Sequence, residues 1–206
     1  MTDDIFGVLL AAGKSSRMGK NKLNLPFRED TVGSHALDAA IHSDLDHVLV
    51  MTKPDDSLEW IDDRFFSGRE QIRWSRITTD QAEKGQAFTI RAGIQACRKY
   101  GARAAMILLG DQPLVSVDIL NRLIRSYREK NMPIVAACYQ DRPQPPILFD
   151  ASQYQVLTDL QGDQGARAIL RGKDNSQMKM IACQERAWFH DIDTEGDYAW
   201  LMRTQI

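Results

Sequence analysis

An excess of positive charge is missing from this chain. Of its 206 residues, 26 are Lys or Arg and 28 are Asp or Glu, a formal net charge of −2. That balance excludes a bulk basic field, and with it nucleic acid as the main partner. An anionic ligand must find its counter-charge locally, among a few clustered cations. Cysteine is scarce too: Cys97, Cys138 and Cys183 are far apart and odd in number. No pair has metal-ligand spacing, which excludes a zinc site and points to reduced thiols. His35, His42, His47 and His190 share no ligand spacing, and Trp60, Trp74, Trp188 and Trp200 are too scattered for a stacking platform. No apolar run approaches a membrane span. The opening Met1-Thr2-Asp3-Asp4 is acidic where a secretory signal is basic. These absences predict a cytoplasmic protein with neither a membrane nor a nucleic-acid partner.

What the chain does have is ordinary globular composition, 43% hydrophobic and 26% charged, with enough length to bury a substantial core. Ile5 to Leu10, His47 to Met51, Ala104 to Leu109 and Ile134 to Cys138 read as strands buried on both faces. Between them Ser34 to His42, Gln86 to Lys99 and Val117 to Lys130 carry helical spacing, with Cys97 on an apolar face of the second. The alternation predicts an α/β fold, a three-layer α/β/α sandwich on a Rossmann-like, mostly parallel but mixed sheet. Asp55, Asp56, Asp62 and Asp63 read as a solvated helix face. Arg142-Pro143-Gln144-Pro145-Pro146 reads as a stiff loop leading into Ile147-Leu148-Phe149. A short helix is expected over Ala166 to Arg171, and Met178 to Cys183 with Ala187 to Ile192 as a hairpin-like pair. Asp193-Thr194 then caps a last helix from Glu195 to Met202. No repeat or linker interrupts the chain, so residues 1–206 are expected to form one domain.

The first strand runs into Leu10-Ala11-Ala12-Gly13-Lys14-Ser15-Ser16-Arg17-Met18-Gly19. Small residues at a strand's carboxyl end let backbone N–H groups approach an anion, and Lys14, Arg17 and Lys22 add charge. Gly13-Lys14-Ser15 imitates the end of a P-loop, but the first glycine of G-x-x-x-x-G-K-[ST] falls on Val8. The P-loop is rejected. Two acidic places accompany this loop. Asp111 closes the strand ending at Leu109, within Gly110-Asp111-Gln112-Pro113, where it is either a metal ligand or a turn-former. Asp191-Ile192-Asp193-Thr194-Glu195-Gly196-Asp197 ends a strand and begins a helix, and capping alone accounts for Asp193 and Glu195.

Leu10 to Lys22, followed by Leu25-Pro26-Phe27, resembles the nucleotidyltransferase signature L-A-[AG]-G-x-[SG]-x-R-M-G-x-x-K at every fixed position. It is similar to the molybdenum cofactor nucleotidyltransferases within the nucleotide-diphospho-sugar transferase superfamily. The resemblance implies that superfamily's fold and a loop (Leu10, Ala11, Ala12, Gly13, Lys14, Ser15) wrapping a nucleoside triphosphate, with Arg17 and Lys22 stabilising its charge. It implies Asp111 as the Mg²⁺ ligand and a catalytic residue beside Arg17 and Lys22. Asp193 becomes the second metal contact, ahead of Asp191. Gly85-Gln86-Ala87-Phe88-Thr89-Ile90-Arg91-Ala92-Gly93-Ile94 resembles the family's nucleotide-touching G-x-x-x-S-[IL]-x-x-G-[IL], which assigns Gly85 and Thr89; an ordinary helix start explains the same residues. Thr79 and Ala82 stand where relatives often carry Asn and Trp.

Within the family, Leu-Ala-Ala-Gly and Gly-Asp-Gln-Pro are the cytidylyltransferase forms, whereas the guanylyltransferase branch reads Leu-Ala-Gly-Gly. The methyl of Ala12 crowds a purine more than a pyrimidine, favouring CTP over GTP. Leu160-Gln161-Gly162-Asp163-Gln164-Gly165-Ala166-Arg167 matches the cytidylyltransferase L-x-G-D-x-G-A-R. It implies acceptor contacts from Gly162, Asp163 and Arg167 with Gln112. Asp141 and Gln144 replace two glycines of the family's G-x-x-G-x-P-[VI]-L-F. The expected activity is transfer of CMP from CTP to molybdopterin cofactor, releasing pyrophosphate and serving a molybdenum hydroxylase partner. The alternatives are another base or acceptor, as in a guanylyltransferase, or a non-catalytic nucleotide-binding accessory protein for molybdoenzyme assembly.

Overall fold

The computed structural model describes residues 3–13, 19, 21–130, 132–174 and 176–204. The four apolar runs form the centre of a seven-stranded sheet. They are β1 (Ile5–Leu10), β4 (His47–Thr52), β6 (Ala104–Leu109) and β7 (Ile134–Tyr139), each buried on both faces. β2 (Pro26–Phe27) and β3 (Asp30–Thr31) make a separate two-stranded ribbon. Adding β5 (Trp74–Thr78), β8 (Arg142–Asp150) and β9 (Met178–Ala182) gives the order β5-β4-β1-β6-β8-β7-β9. Within this sheet β8 is antiparallel to both β6 and β7 and the other pairings are parallel, while the β2–β3 ribbon is antiparallel.

Helices cover both faces. α1 (Val32–Ile41) and α3 (Val117–Lys130) contribute Leu37, Ala40, Leu120 and Leu123 to one core, while α2 (Gln86–Tyr100) contributes Ile90, Ile94 and Cys97 to the other. α4 (Tyr154–Thr158) joins α2's side through Leu157. This is the expected three-layer sandwich on a mixed sheet. α2 presses against β1 because Gly93 has no side chain: a Cβ there would collide with Val8 Cγ1. Burial pushes the Cys97 thiol up to about 12, so it is an inert core group. No helix among the described residues is long and apolar enough to cross a membrane.

Four expectations are corrected. α1 starts two residues early because Thr31 caps it, its hydroxyl accepting from Ser34 N–H at 3.1 Å. The acidic stretch 55–63 is loop and a short 3-10 turn, with Asp62 accepting from Arg64 N–H at 2.8 Å, rather than a helix face. Arg142–Pro146 is not a free loop but the first half of β8. A register shift opposite Ala136 and Ala137 accommodates its prolines. Residues 187–192 form no strand: a 3-10 turn spans Arg186–Phe189, and β9 pairs with β7 instead. The last helix, α5 (Glu195–Arg203), starts as expected.

Candidate active site

One cavity, about 710 Å³, opens where β1 and β6 end and β8 begins. The backbone fixes its N-terminal wall. Ala11 N–H donates to Met51 O at 2.9 Å and Gly110 N–H to Leu10 O at 3.1 Å, tying the loop's start to β4 and β6. Leu10, Ala11, Ala12 and Gly13 all line the cavity. Lys14, Ser15 and Arg17 lie outside the described residues.

Lys22 opens a 3-10 turn, Lys22–Asn24, held by the Asn21 side chain accepting from Leu23 N–H at 3.1 Å. Only 9% of the residue is exposed. Its ammonium donates to Asp111 Oδ2 and, at 2.8 Å, to Asp193 Oδ1. Burial alone would lower the Lys22 pKa, but the charges and hydrogen bonds of Asp111 and Asp193 outweigh it and raise it. Asp193 is brought there by Ile192 N–H, which donates to Asp111 O at 3.1 Å. The capping question also resolves. Thr194 and Asp197 form the capping box of α5, with Thr194 N–H donating to Asp197 Oδ2 at 2.8 Å. The Asp193 carboxylate is not spent on the cap. It faces Lys22.

Asp191 also lines the cavity, beyond what capping or strand-end reasoning ranked first. It accepts from Gln112 Nε2 at 2.8 Å. Desolvation by the surrounding protein, then the nearby Asp111 charge, pushes its carboxyl up to about 6 from an ordinary value of 3.8, while the exposed part of the residue lets solvent screen some of that cost. A carboxyl whose folded pKa exceeds its unfolded one opposes folding once ionised, so the cost grows between pH 4 and pH 6 and is complete above. Asp191→Asn keeps an acceptor for Gln112 and removes that charge. It should stabilise the fold by about 1–2 kcal/mol at pH 7.5, scaled down from the full two-unit shift. Denaturant melts at pH 7.5 and 4 check this: an equal gain at both would refute the electrostatic cause.

The opposite wall joins two segments read separately from the sequence. Gly85 and Thr89, at the start of α2, line the cavity with Asp163 and Arg167. Ala87 N–H donates to Gly162 O at 3.1 Å, and Arg91 Nη2 to Leu160 O at 2.8 Å. Gly162 itself does not line the cavity; its carbonyl is used to hold α2. Gln112, 3% exposed, does line it. Sequence reading missed Gln86, Glu83 and Pro145, and the signal for Pro145 lay in the Pro-rich segment treated as a connector. Asp141 has φ +58 beside Gln140 at φ +49, the paired left-handed geometry of a two-residue hairpin turn. The family glycine at 141 therefore answers to backbone conformation, which Asp tolerates. Gln144, by contrast, places a side chain on the cavity wall.

Among the described residues no group of three or more His, Cys, Asp or Glu side chains is arranged to hold a metal. Asp111 and Asp193 nevertheless converge on a cation, the Lys22 ammonium. Two carboxylates completed by phosphate oxygens and water are an ordinary Mg²⁺ set, so the donors fit such an ion.

Ligands of open α/β sheets sit at the carboxyl edge of the strands. Here that edge carries the glycine loop and the lysine–carboxylate cluster, and together they mark a nucleotidyltransferase. Residues 7–179 match the MobA-like NTP transferase domain, and the chain belongs to that family. Purine catabolism protein PucB of Bacillus subtilis is 37% identical over 200 residues, 97% of this chain and 96% of that one. Nicotine blue oxidoreductase of Paenarthrobacter nicotinovorans is 27% identical, covering 92% of each chain. A probable molybdenum cofactor guanylyltransferase of Mycolicibacterium paratuberculosis is 26% identical over 94% of this chain and 92% of that one. Among solved structures, Rv0371c of Mycobacterium tuberculosis superposes with a TM-score of 0.78 at 25% identity, over 98% of this chain and 100% of that one. A complex of Rv0371c with manganese gives 0.76 at 24%, with the same shares of the two chains covered.

Proposed function

We propose that the chain, acting as one domain over residues 1–206, transfers CMP from CTP to molybdopterin cofactor and releases pyrophosphate. One observation carries this reading: Leu10 to Gly13 at the start of the triphosphate loop, the Lys22–Asp111–Asp193 cluster, and Asp163 with Arg167 line a single cavity. A donor and an acceptor can therefore meet there, and proximity is a large part of such a reaction. An oxygen of the acceptor's terminal phosphate attacks the α-phosphorus of CTP. The bond from that phosphorus to the bridging oxygen breaks, and pyrophosphate leaves with the electron pair. No covalent intermediate with the enzyme is required.

The N–H groups of Ala12 and Gly13, with Lys14 and Ser15, hold the triphosphate, and Leu10 and Ala11 form the wall behind it. Arg17 and Lys22 offset the charge developing on the phosphates. Asp111 and Asp193 would hold Mg²⁺, which neutralises phosphate oxygens and fixes their geometry. Gly85 and Thr89 bound the nucleotide, and Gln112, Asp163 and Arg167 orient the acceptor, with Gly162 supporting that loop from behind. The relatives named as probable molybdenum cofactor guanylyltransferases support a molybdoenzyme partner as the product's destination. Manganese in the Rv0371c complex supports the divalent ion.

Ala12, 3% exposed on the cavity wall, supports a pyrimidine base. Pyrophosphate release should be measured with CTP, GTP, UTP and ATP, with molybdopterin cofactor and Mg²⁺ present. Release with CTP is expected, and Ala12→Gly should improve GTP relative to CTP by about 10- to 100-fold, the worth of one methyl group in a pocket. Release with GTP alone would replace the cytidylyl reading by the guanylyl one. No release with any nucleotide would sink the reading altogether.

A further inference from the structure

Among the described residues, Lys22 pairs with two carboxylates whose oxygens a divalent cation would need. Its ammonium bridges Asp111 Oδ2 and Asp193 Oδ1, spanning the gap that a single ion joining the two carboxylates would span. The lysine side chain is 11% exposed and Asp111 17%, whereas Asp193 is 46% exposed. An incoming cation therefore reaches the cluster from the Asp193 side and meets the ammonium there. Two cations cannot share that gap without strong repulsion.

We infer that Lys22 and the divalent cation compete for Asp111 and Asp193, so that the cation binds tightly only when a triphosphate gives the ammonium another partner. This rests on reading Asp111 and Asp193 as the metal ligands. Lysine suits the exchange: its ammonium is a compact point charge on a flexible four-carbon stem, and a short swing carries it from carboxylate to phosphate. Bond-making is conserved in the swap. Each carboxylate trades a charged donor for a metal, and the ammonium trades carboxylates for phosphate oxygens. Linkage is reciprocal, so the metal must also strengthen triphosphate binding by the same factor. The enzyme would thus favour the metal–triphosphate complex over either component.

The test needs no turnover. Mn²⁺ binding to the full chain is measured by electron paramagnetic resonance, with and without inorganic tripolyphosphate, in wild type and in Lys22→Met. Tripolyphosphate carries no base, so an error over CTP leaves the result intact. Binding of Mn²⁺ alone should be tighter in Lys22→Met by about tenfold, a typical coupling factor. Tripolyphosphate should then tighten Mn²⁺ far less in the variant than in wild type. A gain that is equal with and without tripolyphosphate would overturn the exchange and leave plain charge repulsion. A loss of Mn²⁺ affinity in the variant would also overturn it, showing that Lys22 only positions the carboxylates. Should Lys22→Met fail to fold, the Lys22 Nζ resonance of wild type decides. It is expected to stay unchanged with Mg²⁺ alone and to shift when tripolyphosphate is added; a full shift with Mg²⁺ alone overturns the inference.

Discussion

Replacing Asp111 by Asn should cut pyrophosphate release by at least about 10³-fold, the scale of losing an electrostatic group that acts on the transition state. Asn is nearly isosteric and still offers an oxygen to Lys22, so the packing beneath it survives. What disappears is one negative charge from a cluster that gathers a cation. The Lys22 ammonium keeps Asp193 as a partner at 2.8 Å, so it is not left buried and uncompensated. The melting temperature should therefore stay within a few degrees of wild type while kcat collapses. Triphosphate affinity without metal should hardly fall, since the loop and its cations are untouched. Stopped pyrophosphate release beside an unchanged circular dichroism spectrum is the expected pair of results. Normal turnover in Asp111→Asn would remove the metal assignment, and with it the exchange proposed for Lys22.

The second large effect belongs to Gly85→Ala. Gly85 has φ +123, a conformation L side chains rarely adopt, and an added Cβ would collide with the carbonyl carbon and oxygen of Gly162 and lie 2.8 Å from Asp163 N. These are backbone atoms, which no rotamer change can move aside. The cost should be on the order of 3 kcal/mol or more, combining strained backbone with displaced neighbours. For a domain of this size that lowers the melting point by roughly 6–12 °C. Folded molecules should also show a raised KM for the acceptor, because the displaced segment bears Asp163 on the cavity wall beside Arg167. Gly162→Ala is the control. Its φ is +56, yet nothing lies within 4 Å of the added Cβ, so it should cost about 1 kcal/mol. Equal melting points for the two variants would refute the contact.

The sandwich was legible in the sequence because β1, β4, β6 and β7 are continuous apolar runs, and burial on both faces leaves that mark. β5 was not expected. Trp74-Ser75-Arg76-Ile77-Thr78 lies at the sheet edge and is only partly buried, so no apolar run announces it. Arg76 there donates to Thr52 Oγ1 and to the carbonyls of Lys53, Pro54 and Asp56. Such a net of contacts holds the edge strand without hydrophobic periodicity. The supposed strand at 187–192 failed for the converse reason. Its apolar residues Phe189 and Ile192 are buried from a 3-10 turn and an extended connection, outside any ladder.

At the site, motif resemblance singled out Asp111 and Lys22, and the fold brings the two side chains together. Local spacing could not decide what Asp193 does, because a cap and a cation partner need the same residue type. Only three-dimensional placement shows Thr194 and Asp197 taking the cap. Asp191 ranked behind Asp193 on resemblance alone, and its pairing with Gln112, 79 positions away, leaves no local mark in the sequence. The union of α2 with the 160–165 segment is of the same kind: Gly85 and Gly162 look like two separate turn glycines until their backbones are seen to touch.

Lys22 meets Asp193 across 171 positions of sequence, and Tyr198 Oη donates to Pro26 O across 172. Leu25, Phe27 and Val32 share a small core with Ile192 and Leu201. During synthesis, therefore, Lys22 can meet Asp111 once β6 has been made, but Asp193 follows only 171 positions after the lysine. Most of the central sheet can assemble before then, since β1, β4 and β6 are complete by residue 109. A nascent chain would hold a nearly finished scaffold around an unfinished centre until the segment carrying Asp193 has followed.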